Sequence, residues 1–233
     1  MVRNISDKHV CNICPHTHKY QDWKKIMKLT SETKLFIGIF AFTAIILAIA
    51  MVIMTKPSKP IAKENLILPT TYTKGAKDAS VWLVEFSDFQ CPACKTFSGV
   101  VADLYKKYPD QLLISYRYFP LDKHKEGVSS AIAAEAAGIQ GKFWEMEQLL
   151  FTNQERLSEA LYPELATQLG LDMNTFQESF TNPKTKQIII NDRNYGTSIG
   201  INATPTFFLN GVKLNLLTPS DLTKEVEKVI NGK

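Results

Sequence analysis

Hydrophobic and polar positions divide this chain of 233 residues into stretches of different character. From Leu35 to Met54 the sequence reads LFIGIFAFTAIILAIAMVIM, free of charge and polar only at Thr43. As a helix it would rise about 30 Å, the hydrocarbon thickness of a bilayer. A cleaved signal peptide is the competing reading, since Ala48-Ile49-Ala50 looks like a small-residue cleavage site. The apolar run is long, however, a polar stretch precedes it, and the Ala-x-Ala lies inside it. A retained membrane helix over residues 35–54 is therefore expected. Residues 1–34 then form a short polar head, and residues 55–70, with Pro57 and Pro60, an extended linker.

Residues 71–233 carry the pattern of a folded domain. VWLVEF (Val81 to Phe86) is a nearly unbroken run of strand formers and suits a central strand covered on both faces. Cys91 leads into a segment where Phe97, Val101, Leu104 and Tyr105 recur at helical spacing, and LLISYRYF (Leu112 to Phe119) reads as a second strand. That order is a βαβ-like opening with a Cys-x-x-Cys pair at the strand-to-helix junction. A helix-rich block follows. An alanine-rich run from Ser129 to Gly138, a face of Phe143, Met146 and Leu150, and a leucine series from Leu157 to Leu169 closed by Gly170 each predict a helix. Asn182-Pro183 reads as an N-cap with proline at the first helical position, opening a helix that Gly196 or Gly200 ends. Strand character returns in TFFLN (Thr206 to Asn210), and Asn210-Gly211 signals a hairpin leading into VKLNLL. Pro219 to Ile230 reads as an amphipathic terminal helix. Helices flanked on both sides by strands predict an α/β domain with a helical insertion over about residues 122–198.

Composition narrows the function classes. With 45% hydrophobic residues, 11 glycines and 11 prolines, the chain is neither disordered nor a fibrous repeat. The net charge of +4 is modest and the lysines are spread out, which leaves no nucleic-acid footprint.

Chemistry concentrates in DFQCPACKTF (Asp88 to Phe97), where Cys91 and Cys94 admit three readings. A zinc site normally takes four ligands, whereas no further cysteine follows the apolar stretch and His124 is the only histidine there. A structural disulfide would close a tiny loop and constrain the unfolded chain little. Redox exchange is the third. A cysteine at a helix N-terminus meets backbone N–H groups and the positive end of the helix dipole, and both favour thiolate. Pro92 suits the first turn, where its missing N–H is not needed. Glu85, inside VWLVEF, is expensive to bury unless it has work to do. Six residues before Cys91, it can lie beneath the pair with a raised pKa and accept the proton of Cys94. The plain alternative is an edge-strand glutamate facing water. Thr204-Pro205, at the start of a strand, is either a simple turn or a cis peptide offering backbone atoms to an extended partner chain.

Taken in order, EFSDFQCPAC, YRYFPL, the alanine-rich helix, GKFWEMEQLLF and ATPTFFLNG resemble the DsbA-like thiol:disulfide oxidoreductases, over roughly Thr71 to the C-terminus. The resemblance implies a thioredoxin fold with an inserted helical domain. It implies that Cys91 is the exposed nucleophile, Cys94 the buried resolving thiol and Glu85 the buried acid. Thr204 and Pro205 would be the cis-proline loop that docks substrate, with Pro92 and Ala93 completing the redox motif. One departure concerns Ala93, because strongly oxidising members can have histidine just before the second cysteine. No bound cofactor is needed. The resemblance further implies cysteine-containing exported proteins as substrates and a quinone-coupled, DsbB-like membrane partner for reoxidation.

A disulfide donor is useful only in an oxidising compartment, so the domain is expected outside the cytoplasm and the N-terminus inside. Lys24, Lys25, Lys28 and Lys34 before the apolar run, against Lys56, Lys59 and Lys63 after it, lean the same way. The rivals are a disulfide reductase or isomerase using the same residues, and a non-catalytic binding or chaperone module. In the head, Cys11, Cys14, His16 and His18 are zinc-type ligands at nonstandard spacing, and no metal site is assigned to them.

Overall fold

The computed structural model describes residues 30–54 and 59–232. The head with Cys11, Cys14, His16 and His18 lies outside them, as do residues 55–58 of the linker. The chain forms two units. Among its described residues the first holds one helix, α1 (Ser31–Met54), with Phe36, Phe40 and Leu47 exposed along it. It starts ahead of the apolar run because the Thr30 hydroxyl accepts the N–H of Thr33 and caps it. By length and composition α1 can cross a membrane.

The second unit begins earlier than the linker reading allows. Ile61 N–H donates to the Gly211 carbonyl at 2.9 Å, and a short helix, α2 (Lys63–Leu66), buries Leu66 completely. Ile61, Leu66 and Ile67 are apolar and pack against the sheet, a signal that Pro57 and Pro60 mask in the sequence. The elements that follow are β1 (Tyr72–Gly75), β2 (Val81–Ser87), α3 (Pro92–Lys107) and β3 (Leu112–Tyr118). The helical block is α4 (Gly127–Ile139), α5 (Phe143–Thr152), a 3-10 turn at Gln154–Arg156, α6 (Leu161–Gln168), α7 (Met173–Thr181) and α8 (Pro183–Ser198). The chain closes with β4 (Thr206–Leu209), β5 (Val212–Lys213) and α9 (Pro219–Ile230).

Capping chemistry sets several of these boundaries. The Asn182 side chain accepts the N–H of Lys184 ahead of Pro183, as expected, and α8 gives way to Gly200 in the left-handed region at φ +81°. Asn210 (φ 47°) and Gly211 (φ 82°) turn the β4–β5 hairpin. Four elements went unforeseen or differ. β1 is four half-buried residues, too short to show a period. α7 is mostly polar and rests on Phe176 and an Asp172 cap on the Thr175 N–H at 2.8 Å. The leucine series makes a helix only from Leu161, and VKLNLL contributes a strand of two residues.

The sheet has the order β1-β3-β2-β4-β5. β2 runs parallel to β3, while β1–β3, β2–β4 and β4–β5 are antiparallel. All residues of β2 and β3 are buried, so both faces are covered, as the unbroken apolar runs predict. Leu83 and Ile114 face Val101 and Leu104 of α3 and Leu222 and Val226 of α9. Trp82, Val84 and Phe86 pack on the other side with Phe208 and Ile201. Each fully buried Leu, Ile or Phe contributes about 1.5–3 kcal/mol, so these two layers hold the strands in register. A third core joins α4, Phe143, Met146 and Leu150 to Cys91, Cys94 and Tyr116. The insertion therefore packs directly against the cysteine pair.

Candidate active site

Cys91 is the N-cap of α3 and Pro92 its first residue. Cys94 follows one turn later, 0% exposed, and the two thiols are unbonded. The loop ahead of them is held by polar ties. The Cys91 N–H donates to the Asp88 carbonyl at 3.0 Å. The buried Asp88 carboxylate accepts the N–H of Gln90 and of Leu121, both at 2.8 Å, and lies 2.7 Å from His124 Nδ1. From the insertion, Gln154 Nε2 donates to the carbonyls of Phe89 and Cys91 at 2.7 and 3.0 Å. These groups anchor a turn that would otherwise be free to shift the nucleophile.

Cys91 does not stand open as expected. It is 7% exposed, because Gln154 covers its backbone and the Thr204 carbonyl lies 3.4 Å from its Sγ. Pro92 and Ala93, beside it, are exposed. Thr204–Pro205 is cis, and both residues are half-buried next to the pair. Glu85, on the face of β2 turned toward α3, is 3% exposed. Cys91, Cys94, Glu85, Pro92, Ala93, Thr204 and Pro205 thus converge on one place.

The electrostatics of the two thiols differ in sign. The Cys94 S–H, above all, draws the Cys91 thiol down to about 5, helped by Thr204 and the N–H groups of Cys94 and Ala93 against the pull of burial. Burial pushes Cys94 far above the ordinary thiol range, with Cys91 and Glu85 adding to it. Burial raises Glu85 to about 8, while Ser87 and Lys74 pull it down and the Glu147 and Cys91 charges push it up. At neutral pH this arrangement holds a thiolate, a thiol and a protonated carboxyl side by side.

Sequence reasoning missed Asp88, Gln154 and a groove. Asp88 and Gln90 stand inside the quoted motif, but their partners lie far along the chain. The groove, of about 460 Å³, is lined by Ala93, Phe97, Pro205, Phe207, Leu214 and Leu216, with Leu217 at its rim 95% exposed. It suits the apolar side chains of an extended peptide beside the cysteines.

A family model described as thioredoxin matches residues 68–228. Curated relatives include a Na(+)/H(+) antiporter NhaA 1 of Mycolicibacterium vanbaalenii, 34% identical over 145 residues, and an NhaA 3 of Salinispora tropica, 36% identical over 141. The matches cover 61% and 60% of this chain but only 24% and 22% of those proteins, so the chain spans less than a quarter of the curated relatives it matches. Among solved structures, alpha-DsbA1 of Wolbachia pipientis superposes with a TM-score of 0.64 at 22% identity, over 72% of this chain and 94% of that one. BdbD of Bacillus subtilis, in its oxidised form, gives 0.63 at 23% identity, over 75% and 97%. At these identities the likeness is one of fold, and it is the DsbA-like fold that the motifs led us to expect.

Proposed function

The chain belongs to the thioredoxin family over residues 68–228, and on that premise we propose that it is a membrane-tethered thiol:disulfide oxidoreductase that introduces disulfides into exported proteins. The observation that carries the proposal is the asymmetry of the pair: Cys91 drawn down to about 5, Cys94 buried and pushed up. In the oxidised enzyme a substrate thiolate attacks Cys91 Sγ and the Cys91–Cys94 bond breaks. Cys94 leaves and takes a proton from the Glu85 carboxyl. The second substrate thiolate then attacks the mixed disulfide and expels Cys91 as a stable thiolate. The substrate dithiol loses two electrons and the enzyme disulfide gains them.

Direction follows from the same asymmetry. A Cys91 pKa of about 5 stabilises the reduced pair at pH 7 over an ordinary dithiol by about 2 kcal/mol after solvent screening, equivalent to about 40 mV toward oxidising. That favours a donor of disulfides over a reductase, even with Ala93 in place of histidine. Thr204 and Pro205 present backbone to the substrate, and the neighbouring groove takes its apolar side chains. Helix α1 supports a membrane tether, with the N-terminus cytoplasmic and the redox domain outside. Returning the dithiol to disulfide needs an electron acceptor, and a quinone-coupled, DsbB-like membrane partner fits that chemistry. Ion antiport belongs to the much longer relatives and forms no part of the proposal. Replacing Cys91 by Ser tests it: an oxidase loses oxidation of a reduced peptide, whereas a binding module keeps its function.

A further inference from the structure

Glu85 changes its proton in every cycle of the proposed oxidoreductase, and the following rests on that reading. The carboxyl is 3% exposed and its Oε1 has no hydrogen-bond partner. The Ser87 hydroxyl and the Tyr116 hydroxyl, on the same face of the sheet, are likewise unpartnered. A proton-transfer group so enclosed needs a route to water.

The strand register shows where one runs. Glu85 lies opposite Tyr116, and Tyr116 opposite Tyr72; the next rung on that face joins Leu83, Ile114 and Lys74. Lys74 borders a cavity of about 470 Å³ whose walls include Tyr105 and Lys106 of α3 and Trp144 and Glu147 of α5. Its ammonium sits 4.1 Å from the Trp144 ring centre. Glu147 lines the same cavity, is 9% exposed, and makes neither a side-chain hydrogen bond nor an ion pair among the described residues. Burial raises Glu147 to about 7 against the pull of Lys74, and its charge in turn pushes up Glu85 and Tyr116. The groups facing it are Lys74 from β1, Glu85 from β2 and Tyr116 from β3, with Lys95 and Lys106 from α3 and Glu145 of α5 on the cavity wall.

We propose that Glu147 is the second carboxyl of a proton relay between Glu85 and the water of this cavity, with Lys74 as its positioning residue. When the Cys91–Cys94 bond breaks, Cys94 takes the Glu85 proton. Glu85, now a carboxylate, regains a proton from the Glu147 carboxyl through water, and Glu147 recovers its own from the cavity. Reoxidation runs the protons outward along the same groups. The relay moves protons only; the electron pair of the broken S–S bond leaves with the Cys94 sulfur, and Cys91 bonds through the pair brought by the substrate thiolate.

The test uses the full chain in detergent micelles, oxidised and mixed with a dithiol peptide between pH 5 and 9. Glu147→Gln should slow turnover about tenfold above pH 7, displace the alkaline limb of the rate profile and raise the solvent isotope effect. Glu147→Asp should restore most of the rate, and Lys106→Gln, on the cavity wall, should behave as wild type. The Cys91 thiolate absorbance should titrate unchanged in all of them, which checks the fold. Wild-type rates and profile in Glu147→Gln overturn the relay. So does a uniform slowing at every pH without rescue by Asp. Infrared titration of the Glu85 carboxyl needs no activity: Glu147→Gln should move it to lower pH, and no movement overturns the relay even if oxidation stands. A wild-type chain that exchanges no disulfides, yet shows that movement, overturns the proposed function and leaves the coupling of the two carboxyls.

Discussion

Acidifying the reduced protein removes a stabilisation that Cys91 supplies, and its size can be worked from the site. The thiol has an ordinary value of 9.0 and is drawn down to about 5 in the fold, chiefly by the Cys94 S–H. A lowered folded pKa stabilises fully above the unfolded value and is lost as pH falls through the folded one. At pH 7 the unfolded thiol is still protonated and the folded one ionised. The two pH units between 7 and 5 correspond to about 3 kcal/mol, and solvent screening at the sulfur reduces that to about 2 kcal/mol. At pH 4 it is gone. Glu85 and Glu147, raised by burial, act in the opposite sense and stabilise the fold on acidification. The comparison must therefore be with Cys91→Ala, which retains both carboxyls. Urea unfolding of the two proteins in detergent, followed by tryptophan fluorescence, gives the gap between them at each pH. It should shrink by about 2 kcal/mol from pH 7 to pH 4. A gap constant to within about 0.5 kcal/mol refutes the thiolate argument.

Three further outcomes follow from the packing. Asp192→Ala should cost about 3–5 kcal/mol in urea unfolding, since it strips the buried Arg117 of a carboxylate at 2.7 Å and leaves its guanidinium, among the described residues, the Leu66 carbonyl at 2.9 Å as acceptor beside the Phe86 and Tyr195 rings. Gly196→Ala should cost about 1–3 kcal/mol by the same assay, because a Cβ there would stand 2.7 Å from the Phe119 ring and 3.3 Å from Phe86. Leu217→Asp, at the exposed rim of the groove, should raise KM for an apolar dithiol peptide about tenfold, worth about 1.4 kcal/mol, with kcat and the Cys91 titration unchanged.

What the sequence made legible depends on the range of the interactions. The runs of β2 and β3, the Asn182-Pro183 cap and the Asn210-Gly211 turn declare themselves within a few residues, and the structure has each of them. β1 and α7 escape because their order comes from what they pack against: Tyr72 stacks on Phe143 with ring centres 4.1 Å apart, and Phe180 of α7 lies against Tyr162 of α6 at 5.7 Å. The buried position of Glu85 was readable from an acid set in an apolar strand. Its company was not. Lys74 and Glu147 meet only because the sheet register and the docking of α5 bring together residues from distant parts of the chain. The enclosure of Cys91 was missed for the same reason, since Gln154 and Thr204 reach it from elsewhere in the chain.

The central claim is that the Cys91–Cys94 pair donates disulfides, and its redox equilibrium tests that most directly. The full chain in detergent would be equilibrated with graded glutathione ratios and the state of the two thiols read by alkylation. The account predicts a potential clearly above the thioredoxin value of about −270 mV. A potential at or below about −270 mV would contradict it and make the pair a reductant.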